Sequence, residues 1–150
     1  MKEQTQIEDP KLEGVLFYQI EQAMRQSIRY THRMFSEAGI DLTKDQWLVL
    51  KKVHDEDGVA PLEIANVLGK EAASMTRMLD ILERKQLLKR EQNPADRRSS
   101  LVFCTKEGKE IYAQVLPLVK NIRSQAVRGM TSEALNELRA SLQKVIQNMG

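Results

Sequence analysis

Cysteine is nearly absent: the chain has one, Cys104. A single thiol excludes an internal disulfide framework and fits a reducing compartment. Long apolar runs are missing as well. No stretch approaches the roughly 18 consecutive apolar residues of a membrane-spanning helix. The start, MKEQTQIEDPKLEG, has no apolar core of a secretory signal. The expectation is a cytoplasmic protein that makes no membrane contact. Histidine is limited to His32 and His54, with no Cys or His pair beside either, so no metal-ligand set is legible. GxSxG, a Walker loop, HExxH and a Gly-rich nucleotide motif are all lacking. The carboxylates are scattered over helical segments. The chain is therefore read as no enzyme, with no cofactor and no metal.

What is present suits a globular protein: 41% hydrophobic and 29% charged residues in 150. That length fits one domain, or one subunit of an intertwined dimer. The net charge of +2 is small, but it is unevenly distributed. Residues 70–106 hold nine Lys/Arg against five Asp/Glu, a net of +4, which leaves −2 for the rest. A basic segment on a slightly acidic body is the footprint expected of a nucleic-acid-binding module.

No repeat or low-complexity segment interrupts the chain. Residues 1–9 read as unstructured. A helix is expected from Pro10 to about Ser36, with Leu12, Leu16, Ile20, Ala23, Ser27, Thr31 and Met34 on one stripe. Gly39 ends it. Thr43-Lys44-Asp45-Gln46 is a capping box for a helix that turns Trp47, Leu50 and Val53 inward. Pro61 opens a short helix closed by Gly69, and a helix of about 71–86 follows. Strands are expected at 87–91 and 101–104, joined by a charged turn, Asn93 to Ser99. Thr105 caps a helix to about Gly129 that contains Pro117, and Thr131 caps a last one with Leu135, Leu138, Leu142, Val145 and Met149 on one stripe. Segment 42–104 can form its own core. The apolar stripes on either side of it then need another partner, most simply their copies in a second subunit.

The order helix, strand, charged turn, strand within 70–107 is that of a winged helix. On the helix of 71–86, Met75, Met78, Leu79 and Leu82 fall at i, i+3, i+4 and i+7 and form the inward stripe. The opposite face carries Ala73, Thr76, Arg77, Asp80 and Arg84. Small residues at Ala72, Ala73 and Ser74 let the helix end approach a phosphate backbone. Thr76 and Arg77 can reach base edges: Arg pairs with guanine O6 and N7, and the Thr methyl packs on the thymine methyl. In the turn, Arg97 and Arg98 suit the negative potential of a narrow A·T-rich minor groove, with Asp96 positioning an arginine and Ser99 beside them. An ordinary i, i+4 pair is expected between Asp80 and Arg84.

The chain resembles the MarR family of multiple-antibiotic-resistance regulators. The resemblance is carried by LTKDQWLVL (42–50), APLEIANVLG (60–69), SMTRMLDILERKQLLKR (74–90), NPADRRSSLVF (93–103) and TKEGKEIY (105–112). It implies a mainly α winged helix-turn-helix protein with a small β wing. The chain 1–150 would be a single MarR-type unit, with long dimerisation helices at 10–40 and 106–150 around a DNA-binding lobe at 42–104. It further implies a homodimer on a pseudo-palindromic double-stranded DNA operator, acting as a ligand-responsive repressor in transcription regulation. Thr76 and Arg77 would then sit on the recognition helix, and Arg98 would be the wing arginine, supported by Asp96 and paired with Glu71. Ile81 stands where some members have a basic residue, and Ala60 replaces the usual Ser/Thr cap. Family members often bind small phenolic or amphipathic effectors between the dimer helices and the lobe. Tyr18, Arg25 and Trp47 would line such a pocket here. Cys104, in an apolar strand, is read as a buried small residue. The alternative is a winged-helix protein-interaction module without DNA binding, which should lack both the basic wing and the polar helix face.

Overall fold

Local hydrogen-bond chemistry sets most helix ends in the structure, a computed structural model that describes residues 5–150. The expected lack of structure at residues 1–4 lies outside the described residues, and Thr5–Lys11 has no regular secondary structure. The first helix starts later than the pattern suggests. Leu12–Gly14 forms a single 3-10 turn and Val15 is extended, so α1 runs Leu16–Glu37 rather than from Pro10. Gly14, four residues past the expected start, disfavours an α-helical course there.

The capping box of α2 (Lys44–Asp55) is complete. The Gln46 N–H donates to Thr43 Oγ1 and the Thr43 N–H to Gln46 Oε1, both at 3.1 Å. Helix α3 (Pro61–Leu68) starts on its proline without a side-chain cap at Ala60. It ends on Gly69, whose φ of 61° is the left-handed conformation that closes a helix. Helix α4 (Ala72–Arg84) follows at once and leads through Gln86, a non-glycine residue at φ 61°, into the sheet.

Strands β1 (Leu88–Asn93) and β2 (Asp96–Cys104) pair antiparallel. They are longer than expected, and the link between them is shorter: only Pro94 and Ala95 remain outside. Asp96, Arg97, Arg98 and Ser99 thus belong to β2 rather than to a turn. The reason is a register shift. Gln92 faces Ser100 while the adjacent Asn93 faces Asp96, so Arg97, Arg98 and Ser99 bulge out of the ladder. A bridge between Val59 and Val102 ties the loop before α3 to the sheet.

The core of this part is apolar and continuous. Leu50, Val53, Ile64, Met75, Leu79, Leu82 and Val102 are essentially inaccessible, as is Phe35 near the end of α1. Met78 departs from the expected stripe: it is only half-buried. Thr105 caps α5 (Lys106–Ala126) by accepting from the Gly108 N–H at 2.9 Å, and the helix runs through Pro117. Thr131 caps α6 (Ser132–Met149) by accepting from the Ala134 N–H at 3.1 Å.

The architecture is mainly α with a two-stranded β wing, the winged helix-turn-helix arrangement of α2, α3, α4 and the hairpin. The chain divides into two compact units, one up to Val115 and one from Leu116. In the second, α6 buries no residue and leaves Leu138, Ile146 and Met149 exposed. Among the described residues no helix is long and apolar enough to cross a membrane.

Candidate nucleic-acid interface

Helix α4 presents two chemically different sides. Met75, Leu79 and Leu82 anchor it in the core. Ala73, Thr76 and Arg77 are exposed near its N-terminus, with Ser74 half-buried among them. The Thr76 hydroxyl donates to the Ala72 carbonyl at 3.0 Å, which uses its proton inside the helix. Arg77 Nη2 donates to the uncharged Ser74 Oγ at 3.3 Å, a long contact that leaves its charge without a counter-ion among the described residues.

The second group sits on the bulged arm of β2. The Asp96 carboxylate does not pair with an arginine side chain. Its Oδ1 accepts from the Arg98 backbone N–H at 3.0 Å, and its backbone carbonyl accepts from Ser99 Oγ at 3.2 Å. Asn93 Oδ1 accepts from the Ala95 N–H at 3.0 Å, and Gln92 Nε2 donates to the Arg97 carbonyl at 3.1 Å. These polar residues, which a pattern reads as a loop, are what hold the bulge in shape. Asp96 thereby sets the backbone that carries Arg97 and Arg98, and both arginines are exposed.

Pairing elsewhere in the basic segment singles out the free cations. Lys70 pairs with Asp45, Lys85 with Asp41, Lys89 with Glu91, and Arg90 with Asp80 and Glu83. Among the described residues, Arg77, Arg97 and Arg98 meet no carboxylate, and neither do Arg84 and Lys106. Two expected pairs are replaced. Arg98 does not meet Glu71. Asp80 turns to Arg90, while Arg84 Nε reaches only the Asp80 carbonyl, at 3.4 Å.

Tyr18, Arg25 and Trp47, the residues expected to line an effector pocket, are each engaged by a neighbour. Trp47 is buried in the core, stacked on Tyr112 with ring centroids 4.9 Å apart, and its Nε1 has no partner among the described residues. Tyr18 accepts from Gln22 Nε2 at 2.6 Å, and Arg25 pairs with Glu21 at 2.9 Å. Instead a cleft of about 460 Å³ opens between α1, the start of α2 and α4, lined by Ile28, His32, Lys44, Arg77, Met78 and Ile81 among others. His32 Nε2 accepts from the Lys44 N–H at 3.4 Å on its rim. Nothing in the sequence pattern announced this cleft, because Ile28, Met78 and Ile81 come together only in three dimensions.

Cys104 is buried, and burial together with the nearby Asp57 carboxylate raises its thiol to about 11. It stays protonated at neutral pH, as a packing residue should.

Comparison with known proteins agrees with this geometry. Residues 42–100 match the MarR family, a span that runs from the start of α2 into the bulged arm. The transcriptional regulator HosA of Escherichia coli O111:H- is 28% identical over 123 residues, covering 81% of this chain and 87% of that protein. A mutant MarR from E. coli complexed with operator DNA superposes with a TM-score of 0.81 at 26% identity, over 91% of this chain and 99% of that one. The S. aureus MepR–DNA complex shares the fold, with a TM-score of 0.81 at 19% identity, over 92% of this chain and 99% of that one.

Proposed function

The chain belongs to the MarR family of DNA-binding transcription regulators, and on that premise we propose that it acts in the cytoplasm as a ligand-responsive repressor, a homodimer on a pseudo-palindromic double-stranded operator. One observation carries the DNA half of this reading. Among the described residues, Arg77 on α4 and the Arg97–Arg98 arm of β2 are exposed and meet no carboxylate, while most neighbouring cations are paired. In this reading Thr76 and Arg77 meet base edges in a major groove, with Ala73 and Ser74 near the phosphates. Arg97 contacts the backbone and Arg98 enters the adjoining minor groove, with Asp96 and Ser99 holding the arm. The lobe of 42–104 binds DNA, and the helices of 10–40 and 106–150 hold two copies together.

The cleft supports the effector half. Its mostly apolar surface, with Lys44 and Arg77 beside an Asp45 that Lys70 already pairs, suits a small phenolic or amphipathic anion, and Arg77 lines it while also standing on the helix face given to DNA. Two recognition helices in successive major grooves must sit about 34 Å apart. A ligand that shifts α4 or its spacing from the partner's copy therefore releases the operator.

The test is binding to the DNA upstream of the protein's own coding region, read by fluorescence anisotropy across a salt series. Affinity should fall steeply with salt as phosphate contacts release counterions. Arg77→Ala should cost about 1–3 kcal/mol at one base pair of each half-site and relax preference there. Equal weakening on every operator variant would make Arg77 a phosphate contact only. Absence of any binding would favour a protein-interaction module.

A further inference from the structure

Among the described residues, the hydrogen bonds and ion pairs between the hairpin and the recognition helix all involve Arg90. Arg90, on β1, donates from Nε to Glu83 Oε2 at 3.0 Å, and its Nη2 reaches both Glu83 and Asp80. Its backbone N–H donates to Glu83 Oε1, also at 3.0 Å. One arginine thus engages two carboxylates a turn apart on α4, and the shared sites are half-buried. A planar guanidinium in a fork of this kind fixes direction as well as distance. The root of the hairpin is held separately, by the Val59–Val102 bridge and by the Cys104 N–H on Asp57 Oδ1 at 2.9 Å. From Arg90 outward, the side-chain bonds of the hairpin among the described residues stay within the hairpin itself.

We propose that Arg90 is a positioning residue for DNA binding: it locks the wing to the recognition helix so that Arg77 and the Arg97–Arg98 arm meet DNA as one rigid head. With both carboxylates engaged, Arg90 is not itself offered to phosphate. Its effect comes from leverage. A strand advances roughly 3.3 Å per residue, so the four residues from Arg90 to the tip make an arm of about 13 Å. A tilt of about 10° at Arg90 then moves the tip by about 2 Å, more than a charged hydrogen bond tolerates. The wing would still carry its arginines, but it would spend part of its time out of register with the groove that α4 has chosen.

The proposal rests on the reading that the β2 arm meets DNA, so the experiment separates the two. Arg90→Gln, Arg98→Ala and the double variant are compared in the full chain on operator DNA with A·T-rich and G·C-rich flanks. Amide hydrogen exchange is followed on the free protein. Arg90→Gln should lower operator affinity roughly tenfold and blunt flank preference, and Arg98→Ala should cost less in the Arg90→Gln background than in the parent. Exchange should quicken in 90–101 while the hairpin root, α2 and α3 keep their protection. An equal Arg98→Ala penalty in both backgrounds, or unchanged exchange in the hairpin, overturns the lock. If Arg98→Ala costs nothing in the parent, the wing reading falls and the DNA role of Arg90 falls with it. Exchange that quickens throughout the lobe would mean that Arg90 merely stabilises the fold, which also overturns the proposal.

Discussion

Arg98 stands on a backbone that its neighbour shapes, because the Asp96 carboxylate accepts the Arg98 N–H and makes no ion pair among the described residues. An acid in an arm proposed to meet DNA looks misplaced until this is seen: its charge is a local cost there, offset by the order it gives the bulge. Removing Asp96 should therefore weaken DNA binding even though it removes a negative charge. Arg98→Ala should lower affinity most on A·T-rich flanks, where the narrow minor groove concentrates negative potential. Asp96→Ala should show the same flank dependence, with a loss of about 0.5–1.5 kcal/mol. Anisotropy titrations on paired duplexes would check both. Tighter binding by Asp96→Ala would mean that the carboxylate only repels phosphate. Gly108 is a residue-scale constraint of another kind. A Cβ there would lie 2.0 Å from the Leu87 carbonyl oxygen, which is backbone and cannot swing aside. Gly108→Ala should cost at least about 1–3 kcal/mol, the range for overpacking, read as a lowered Tm.

At the scale of elements, the helix ends were written in the sequence because their chemistry is local. Thr43 with Gln46, Pro61, Gly69, Thr105 and Thr131 each act within a few residues, and each does so in the structure. The inward stripe of α4 was legible for the same reason, since a 3–4 spacing names one helix face. What was not legible depends on partners far apart in the chain or on register. The bulge in β2 needs four side-chain contacts to the hairpin's own backbone, and no alternation pattern announces it. Asp80 was expected to pair with Arg84 one turn on. It pairs with Arg90 because the chain reverses through Gln86 and lays β1 against α4. Trp47 was read as an inward residue of α2 as well as a candidate ligand wall, and it lies in the core, stacked on Tyr112. The Arg90 fork also gives α4 and β1 a pH-dependent link. Hydrogen bonding to Arg90 holds the Glu83 carboxyl below its ordinary value of 4.5. A group with a depressed folded-state pKa stabilises the fold fully above its unfolded pKa and loses that effect as pH falls through the folded one. The Tm difference between the parent and Arg90→Gln should thus be constant near neutral pH and shrink below about pH 4.5. A difference that persists unchanged at pH 3 would assign the effect of Arg90 to packing of its stem.

For the whole molecule, affinity and specificity turn on whether two lobes act together. One lobe offers few free cations and one short helix in the proposed reading position. Joining two copies turns the second half-site contact into an intramolecular event, which raises overall affinity without any new contact. The proposed joining surface is α6, where Leu138, Ile146 and Met149 are exposed on a helix that buries no residue. Leu12, Leu16 and Phe17 are likewise exposed at the start of the chain. Apolar side chains of this size gain about 1.5–3 kcal/mol each when fully covered, so a handful of them from each copy is a sufficient drive for association. Glutamates at Leu138 and Ile146 would bring four charges into such a dimer interface, two from each copy, where they cannot be solvated. The expected result is a shift from dimer to monomer in sedimentation velocity while the lobe keeps its helical signal and its Tm. Operator affinity should drop steeply, and what remains should equal binding to an isolated half-site, with about half the salt slope of the parent because half the phosphate contacts are made. If the double variant remains dimeric, α6 is not the joining surface. If it becomes monomeric yet binds the full operator as the parent does, each lobe reads DNA alone, and release by a change in the spacing of two recognition helices is no longer tenable.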